Sequence, residues 1–132
     1  MPSSEYREFG EPYDRQVLDA AGGLWLNLAH LHGEDVMFEL AAGYGTPIIN
    51  WHDTETPPTL AEGLEHVRGA VCGGLRQWET MVRGTPEQVR AEARAAFEQT
   101  GGRRLILGTG CVTPITAPRS NLRAARDIVD KP

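Results

Sequence analysis

The sequence predicts an α/β protein built on a parallel sheet, and three observations carry that reading. Short apolar runs begin near residues 24, 47, 70 and 104. Amphipathic segments with helix-start signals lie between them. The intervals are 23, 23 and 34 residues, each long enough for a helical crossover between parallel strands.

The elements follow in order. Residues 4–21 carry Tyr6, Phe9, Tyr13, Val17 and Leu18 at roughly helical spacing, with Pro12 expected to kink or divide the helix and Gly22-Gly23 to end it. LWLNLAHLH, residues 24–32, reads as a short buried strand between glycines. A short helix is expected over 34–44, and PIINWHD (47–53) reads as the second strand. Thr59 and Glu62 form a capping box, followed by Leu60, Leu64 and Val67 at helical spacing. AVCGGL (70–75) is the third strand, and residues 76–83 are expected to make a short helix. Thr85, Pro86 and Gln88 form a second capping box with proline at the first helical position. RLILGTGC (104–111) is the fourth strand, and a last helix carries Leu122, Ala125, Ile128 and Val129. We read residues 1–132 as one domain.

Composition narrows the function. Apolar residues make up 40% and charged residues 23%, as in an ordinary globular protein. The net charge of −5 and the scattered basic residues argue against a nucleic-acid partner. No apolar run has the length of a membrane span, and the N-terminal residues lack the apolar stretch of a secretory signal. Two cysteines 39 positions apart make no disulfide framework, so a reducing cytoplasm is the expected compartment.

In parallel α/β sheets, function gathers at the carboxyl ends of strands. His30 and His32 close the first strand, and side chains at i and i+2 share a face. With Cys111 at the end of the fourth strand, they form a donor set that suits Zn²⁺. The competing reading is one histidine hydrogen-bonded in the core and the other in solvent. His52-Asp53 is not expected to act as a base–carboxylate pair, because neighbouring residues on a strand point to opposite faces. Cys72 reads as a small buried residue, His66 as a surface residue, and Trp25, Trp51 and Trp78 as packing.

The C-terminal third, RLILGTGCVTPITAPRSNLRAARDIV, resembles the last strand, loop and helix of the uroporphyrinogen decarboxylase family. Gly110, Cys111, Pro114, Pro118 and Asn121 are in register with the family's G-C-x-x-P-x-x-x-P-x-x-N ending. Upstream, AVCGGLRQWETMVRGTPEQV is similar to its strand, G-L turn and G-T-P-E-x-V segment, and SSEYREFGEPYDRQVLDAAGG to the helix before its H-x-C-G strand end. The resemblance implies a TIM barrel, of which this chain holds the C-terminal half: one N-terminal helix and four parallel strand–helix units. It also implies one of two chemistries. Relatives that are corrinoid-dependent methyltransferases use zinc to activate a thiol acceptor, and their ligand positions fall on His30, His32 and Cys111, with His32 replacing a cysteine. The decarboxylases act on a tetrapyrrole in porphyrin biosynthesis, with catalytic groups in the N-terminal half and a last-strand histidine that has no counterpart among Gly108, Thr109 and Gly110.

The residues favour zinc-assisted methyl transfer from a corrinoid to a thiol. The alternatives are a decarboxylase (carboxy-lyase) half-domain completed by a partner chain, and a non-catalytic remnant or assembly module. Half a barrel leaves two strand edges and an apolar inner face open. A homodimer closing the barrel, or a separate N-terminal-half protein, is therefore the expected partner.

Overall fold

The structure is a computed structural model that describes residues 2–130. Four parallel strands form one sheet in the order β1-β2-β3-β4: β1 Leu28–His30, β2 Ile48–Asn50, β3 Ala70–Leu75 and β4 Leu105–Thr109. Two helices, α1 (Ser3–Phe9) and α2 (Glu11–Ala21), precede the sheet. One helix then follows each strand: α3 Phe38–Ala42, α4 Leu60–His66, α5 Pro86–Thr100 and α6 Arg119–Asp130. Sequential parallel pairing with a helix after every strand is the geometry of half a (β/α)8 barrel.

Local chemistry explains most boundaries. Pro12 stands in the first turn of α2, where its missing N–H costs nothing, so the N-terminal helix is divided at Gly10. Both capping boxes form, Thr59 with Glu62 and Thr85 with Gln88. Gly101, in the left-handed region at φ 61°, ends α5. The guanidinium of Arg104 donates to the carbonyls of Gly69 and Val67, which closes the turn between α4 and β3.

The core lies between the sheet and its helices. Ile49, Trp51 and Val71 point to that side and pack with Phe38, Leu60, Val67 and Ala96. Leu75, Met81, Val89, Ala93, Ala124 and Ile128 form a second cluster under α5 and α6. Close approaches in this core require glycine, as at Gly69 and Gly63. A Cβ on Gly69 would stand 1.7 Å from the Pro47 carbonyl oxygen, and one on Gly63 would stand 2.7 Å from the Trp51 ring.

Several expectations are corrected, among them the second strand, which pairs only over Ile48–Asn50 and not 47–53 because the chain turns back at His52. The first strand is shorter than 24–32. Only Leu28–His30 pairs, and Leu24, Trp25 and Leu26 are exposed, because β1 is an edge strand with a neighbour on one side. The helix expected over 34–44 begins only at Phe38, after left-handed backbone at Gly33 and Asp35. Residues 76–83 form turns rather than a helix, closed by Met81 N–H to Arg76 and Arg83 N–H to Trp78.

Those turns are held by Asn121 of α6. Its side-chain N–H groups face the carbonyls of Thr80, Met81 and Gly84 at 3.3, 3.1 and 2.9 Å, with the residue only 1% exposed. Loss of those donors leaves buried carbonyls without partners. Asn121→Ala is predicted to destabilise the fold by about 2–3 kcal/mol. Asn121→Asp should cost more, because a carboxylate there would face three carbonyl oxygens. Urea denaturation checks the order; equal stability of all three proteins would refute it.

Candidate metal site

Strand register places the candidate residues. His30 is aligned with Asn50, Asn50 with Cys72, and Cys72 with Ile106, so these four lie on one face of the sheet. That face is opposite to the one bearing Ile49 and Val71, and in a barrel it is the interior. Two residues on, His32 and His52 occupy the next level at the carboxyl end.

Asn50 organises the first level. Its side-chain N–H groups donate to the carbonyls of Cys72 (2.8 Å) and Thr109 (3.1 Å). Both donors are thereby used on β3 and β4, which leaves Oδ1 to accept. The Asn50 Oδ1 lies 2.6 Å from His30 Nδ1, so that nitrogen must donate. The His30 lone pair is therefore on Nε2.

His52 is built by the turn that follows β2. The amides of Glu55 and Thr56 both donate to the His52 carbonyl at 2.8 Å, which folds the chain back on itself. Glu55 Oε2 then lies 3.3 Å from His52 Nδ1. A carboxylate accepts, so Nδ1 donates when the imidazole is neutral and Nε2 again carries the lone pair. That Nε2 is buried and has no hydrogen-bond partner. An orphaned acceptor in a buried position is costly unless something fills it.

Cys111 reaches the group from the end of β4. Gly110 passes so close to β2 that a Cβ there would stand 2.8 Å from the His52 Cα. Thr109 Oγ1 donates to the Cys111 carbonyl and lies 2.9 Å from Thr113 Oγ1, which fixes the turn. The Cys111 Sγ is 3.6 Å from His32 Nδ1. The three imidazole rings stand 5.1–6.3 Å apart between centroids.

One ligand atom from each of His30, His32, His52 and Cys111 falls within 4.8 Å of every other. Three imidazoles and a thiol at that spacing match the donor types of a tetrahedral Zn²⁺ site. His30, His32 and Cys111 are the residues picked out from sequence. From sequence, His52 stands out only as a neighbour of Asp53, and no local pattern joins it to the other histidines. The available signal was its position at a strand end, level with His32.

His52 and Asp53 engage different partners. Asp53 Oδ1 accepts from the Gly74 amide at 3.0 Å, and the Asp53 carboxyl nearly touches the position a Gly73 Cβ would take. Cys72 is partly buried, and desolvation, with the Asp53 charge adding to it, pushes its thiol up. His66 and Trp25 are exposed, Trp51 is fully buried with its Nε1–H donating to the Pro58 carbonyl, and Trp78 is half exposed.

A cavity of about 460 Å³ opens beside the cluster, between α2, β1 and α3. His30 and His32 are among its lining residues. Asp14, also in the lining, accepts from the hydroxyls of Tyr6 (2.5 Å) and Tyr44 (2.7 Å). Burial, followed by the hydrogen bond to Asp14, raises the Tyr44 phenol above its ordinary range.

A half (β/α)8 barrel with a histidine–cysteine cluster at its strand ends is thus the class that fold and site define. The chain belongs to the uroporphyrinogen decarboxylase (URO-D) family, whose model matches residues 1–132. Among solved structures it is similar to a methyltransferase from Methanosarcina mazei, at 21% identity and a TM-score of 0.80. The match covers 99% of this chain and 38% of the methyltransferase, so the chain spans less than half the length of that protein. No curated protein matches the chain significantly. No helix among the described residues is long and apolar enough to cross a membrane.

Asp53 yields a pH prediction. Burial raises its carboxyl from 3.8 to about 6, against the opposing hydrogen bond from Gly74. The folded state therefore holds the proton more tightly than the unfolded chain. Its stabilising effect is full below about pH 4 and is lost as pH rises through about 6, a change of about 2–3 kcal/mol. Asp53→Asn should remove that dependence. The stability of the variant relative to wild type, from urea denaturation, should rise between pH 4 and 7; a flat difference would contradict the assignment.

Proposed function

We propose that this chain forms the zinc-binding half of a methyltransferase active site that moves a methyl group from a corrinoid to a thiol. The single observation behind this is the convergence of His30, His32 and Cys111 at the mouth of the half-barrel, on neighbouring levels of its inner face. The donor chemistry fits zinc, and the buried, unpartnered His52 Nε2 is an acceptor waiting for an electrophile. The solved methyltransferase with the same fold supports the reaction class.

His30, His32 and Cys111 would be the ligands. A zinc ion held by these residues would supply the Lewis acidity that lowers the pKa of an acceptor thiol. The protein's own work is orientation. Asn50 fixes the tautomer and ring plane of His30, and Gly110 and Thr109 hold the Cys111 turn against β2. Both His30 and His32 remain exposed, which leaves room for an acceptor and a methyl donor to approach. The cavity beside them gives a largely apolar wall for bound organic groups. A tetrapyrrole decarboxylation does not call for a clustered thiol and imidazoles, so the cluster favours methyl transfer.

Zinc should bind at about one ion per chain. Affinity should fall as pH drops, because thiolate and neutral imidazoles are required. Cys111→Ser should lose the metal while the far-ultraviolet circular dichroism stays near wild type. Elemental analysis and demethylation of a methyl-corrinoid in the presence of a small thiol read the two parts. Metal-free protein after growth with added zinc would sink the proposal.

The remaining barrel wall would come from strands outside these 132 residues, and the 132-residue chain by itself would pair with a second copy. β1 and β4 each have one unpaired edge among the described residues, and Leu28 and Ile106 on the inner face are 48% and 42% exposed. Open apolar edges of this kind recruit further strands. Sedimentation at micromolar concentration should therefore find a dimer or a complex; a well-folded monomer of 14.5 kDa would contradict this.

A further inference from the structure

We propose that His52, oriented by Glu55, is a fourth protein donor to this metal site. The inference rests on the zinc reading above and extends it to two residues that the H-x-H strand end and the G-C turn do not include.

Three independent features point to it. The first is position: His52 lies within 4.8 Å, ligand atom to ligand atom, of His30, His32 and Cys111, and its ring is nearer to His32 (5.1 Å between centroids) than His30 is (5.8 Å). The second is the state of its ring. Nδ1 is engaged by Glu55, and Nε2 is buried with no partner. Histidines that bind metals commonly donate their second ring N–H to a carboxylate, which sets the tautomer and strengthens the ligating nitrogen. The third is the backbone. Gly110 allows β4 to lie against the His52 main chain, closer than any side-chain-bearing residue would permit, and this delivers Cys111 to His52 as well as to His32.

The other explanation for His52 is a buried ion pair with Glu55. The Glu55 side chain is 44% exposed, so the pair is half-solvated and screened. Such a pair leaves Nε2 without a function and does not account for three further donors around it. A ligand role accounts for both nitrogens.

The consequence is a site with three imidazoles and one thiolate, closed at rest by protein groups alone. His52 is the buried member, whereas His30 and His32 are open to solvent. An entering thiol then competes with a protein imidazole instead of displacing water.

Zinc affinity and the cobalt spectrum test this. The proteins are wild type, His52→Gln, Glu55→Gln and Glu55→Ala, with Cys111→Ser as the reference for loss of a ligand. Zinc affinity is measured by competition with a chromophoric chelator, and Co²⁺ is substituted to read coordination in the visible spectrum. We expect Glu55→Gln to weaken zinc about tenfold and His52→Gln to weaken it further. In His52→Gln the Co²⁺ bands should lose intensity, as four-coordination by protein gives way to coordination by water. 2-Mercaptoethanol should bind the His52→Gln cobalt protein more tightly than wild type, since no imidazole opposes it. Zinc affinity and Co²⁺ spectra that are unchanged in His52→Gln, or unchanged in both Glu55 variants if His52→Gln does not fold, would overturn the inference and leave the site with three ligands. Absence of zinc binding in folded wild type would overturn both this inference and the zinc reading beneath it.

Discussion

One asparagine ties the sheet to its site. Asn50 stands on β2 and touches all three other strands through its side chain: His30 on β1, the Cys72 carbonyl on β3 and the Thr109 carbonyl on β4. It is only 7% exposed, so each of these bonds forms where water competes poorly. Loss of any one partner would strand a buried polar group. The same geometry decides the chemistry of His30. Because both amide hydrogens are committed, the oxygen must face the imidazole, and the neutral imidazole must carry its lone pair on the other nitrogen. A residue that looks structural therefore sets the state of a functional one.

The two faces of the sheet divide the labour. Stability comes from the helix side, where Ile49, Trp51 and Val71 are fully buried against Phe38, Leu60 and Ala96. The other face carries histidines, an asparagine and a cysteine, with apolar groups left partly open at Leu28 and Ile106. Polar side chains can gather there because the apolar packing is supplied elsewhere. The cost is an inner face that this chain alone does not cover, which is the expected state of half a barrel.

Much of this was legible in the sequence. Capping boxes at Thr59 and Thr85 place two helices because their signals are local: a hydroxyl, and a carboxylate or amide three positions on. The AVCGGL strand has the boundaries expected of it, being a central strand buried on one side by α4 and α5. The first strand is shorter than its apolar run, since such a run reports what could be buried, and Leu24, Trp25 and Leu26 have no neighbour to bury them. Segment 76–83 forms turns where its local pattern predicts a helix, because its shape is imposed by Asn121, some forty residues away. At the site, His30 and His32 were visible through their i, i+2 spacing. His52, Glu55 and Asn50 were not, because their roles depend on register across strands and on a turn that folds back, neither of which leaves a local mark.

The tautomer of His30 tests the central role of Asn50 most directly. In metal-free protein, ¹⁵N chemical shifts of the imidazole distinguish Nδ1–H from Nε2–H. The account predicts that neutral His30 is protonated at Nδ1, with the hydrogen directed at Asn50 Oδ1, and that this preference is lost in Asn50→Ala. A His30 ring protonated at Nε2 in the wild-type protein would contradict it, since Nδ1 would then have no hydrogen to donate to Asn50.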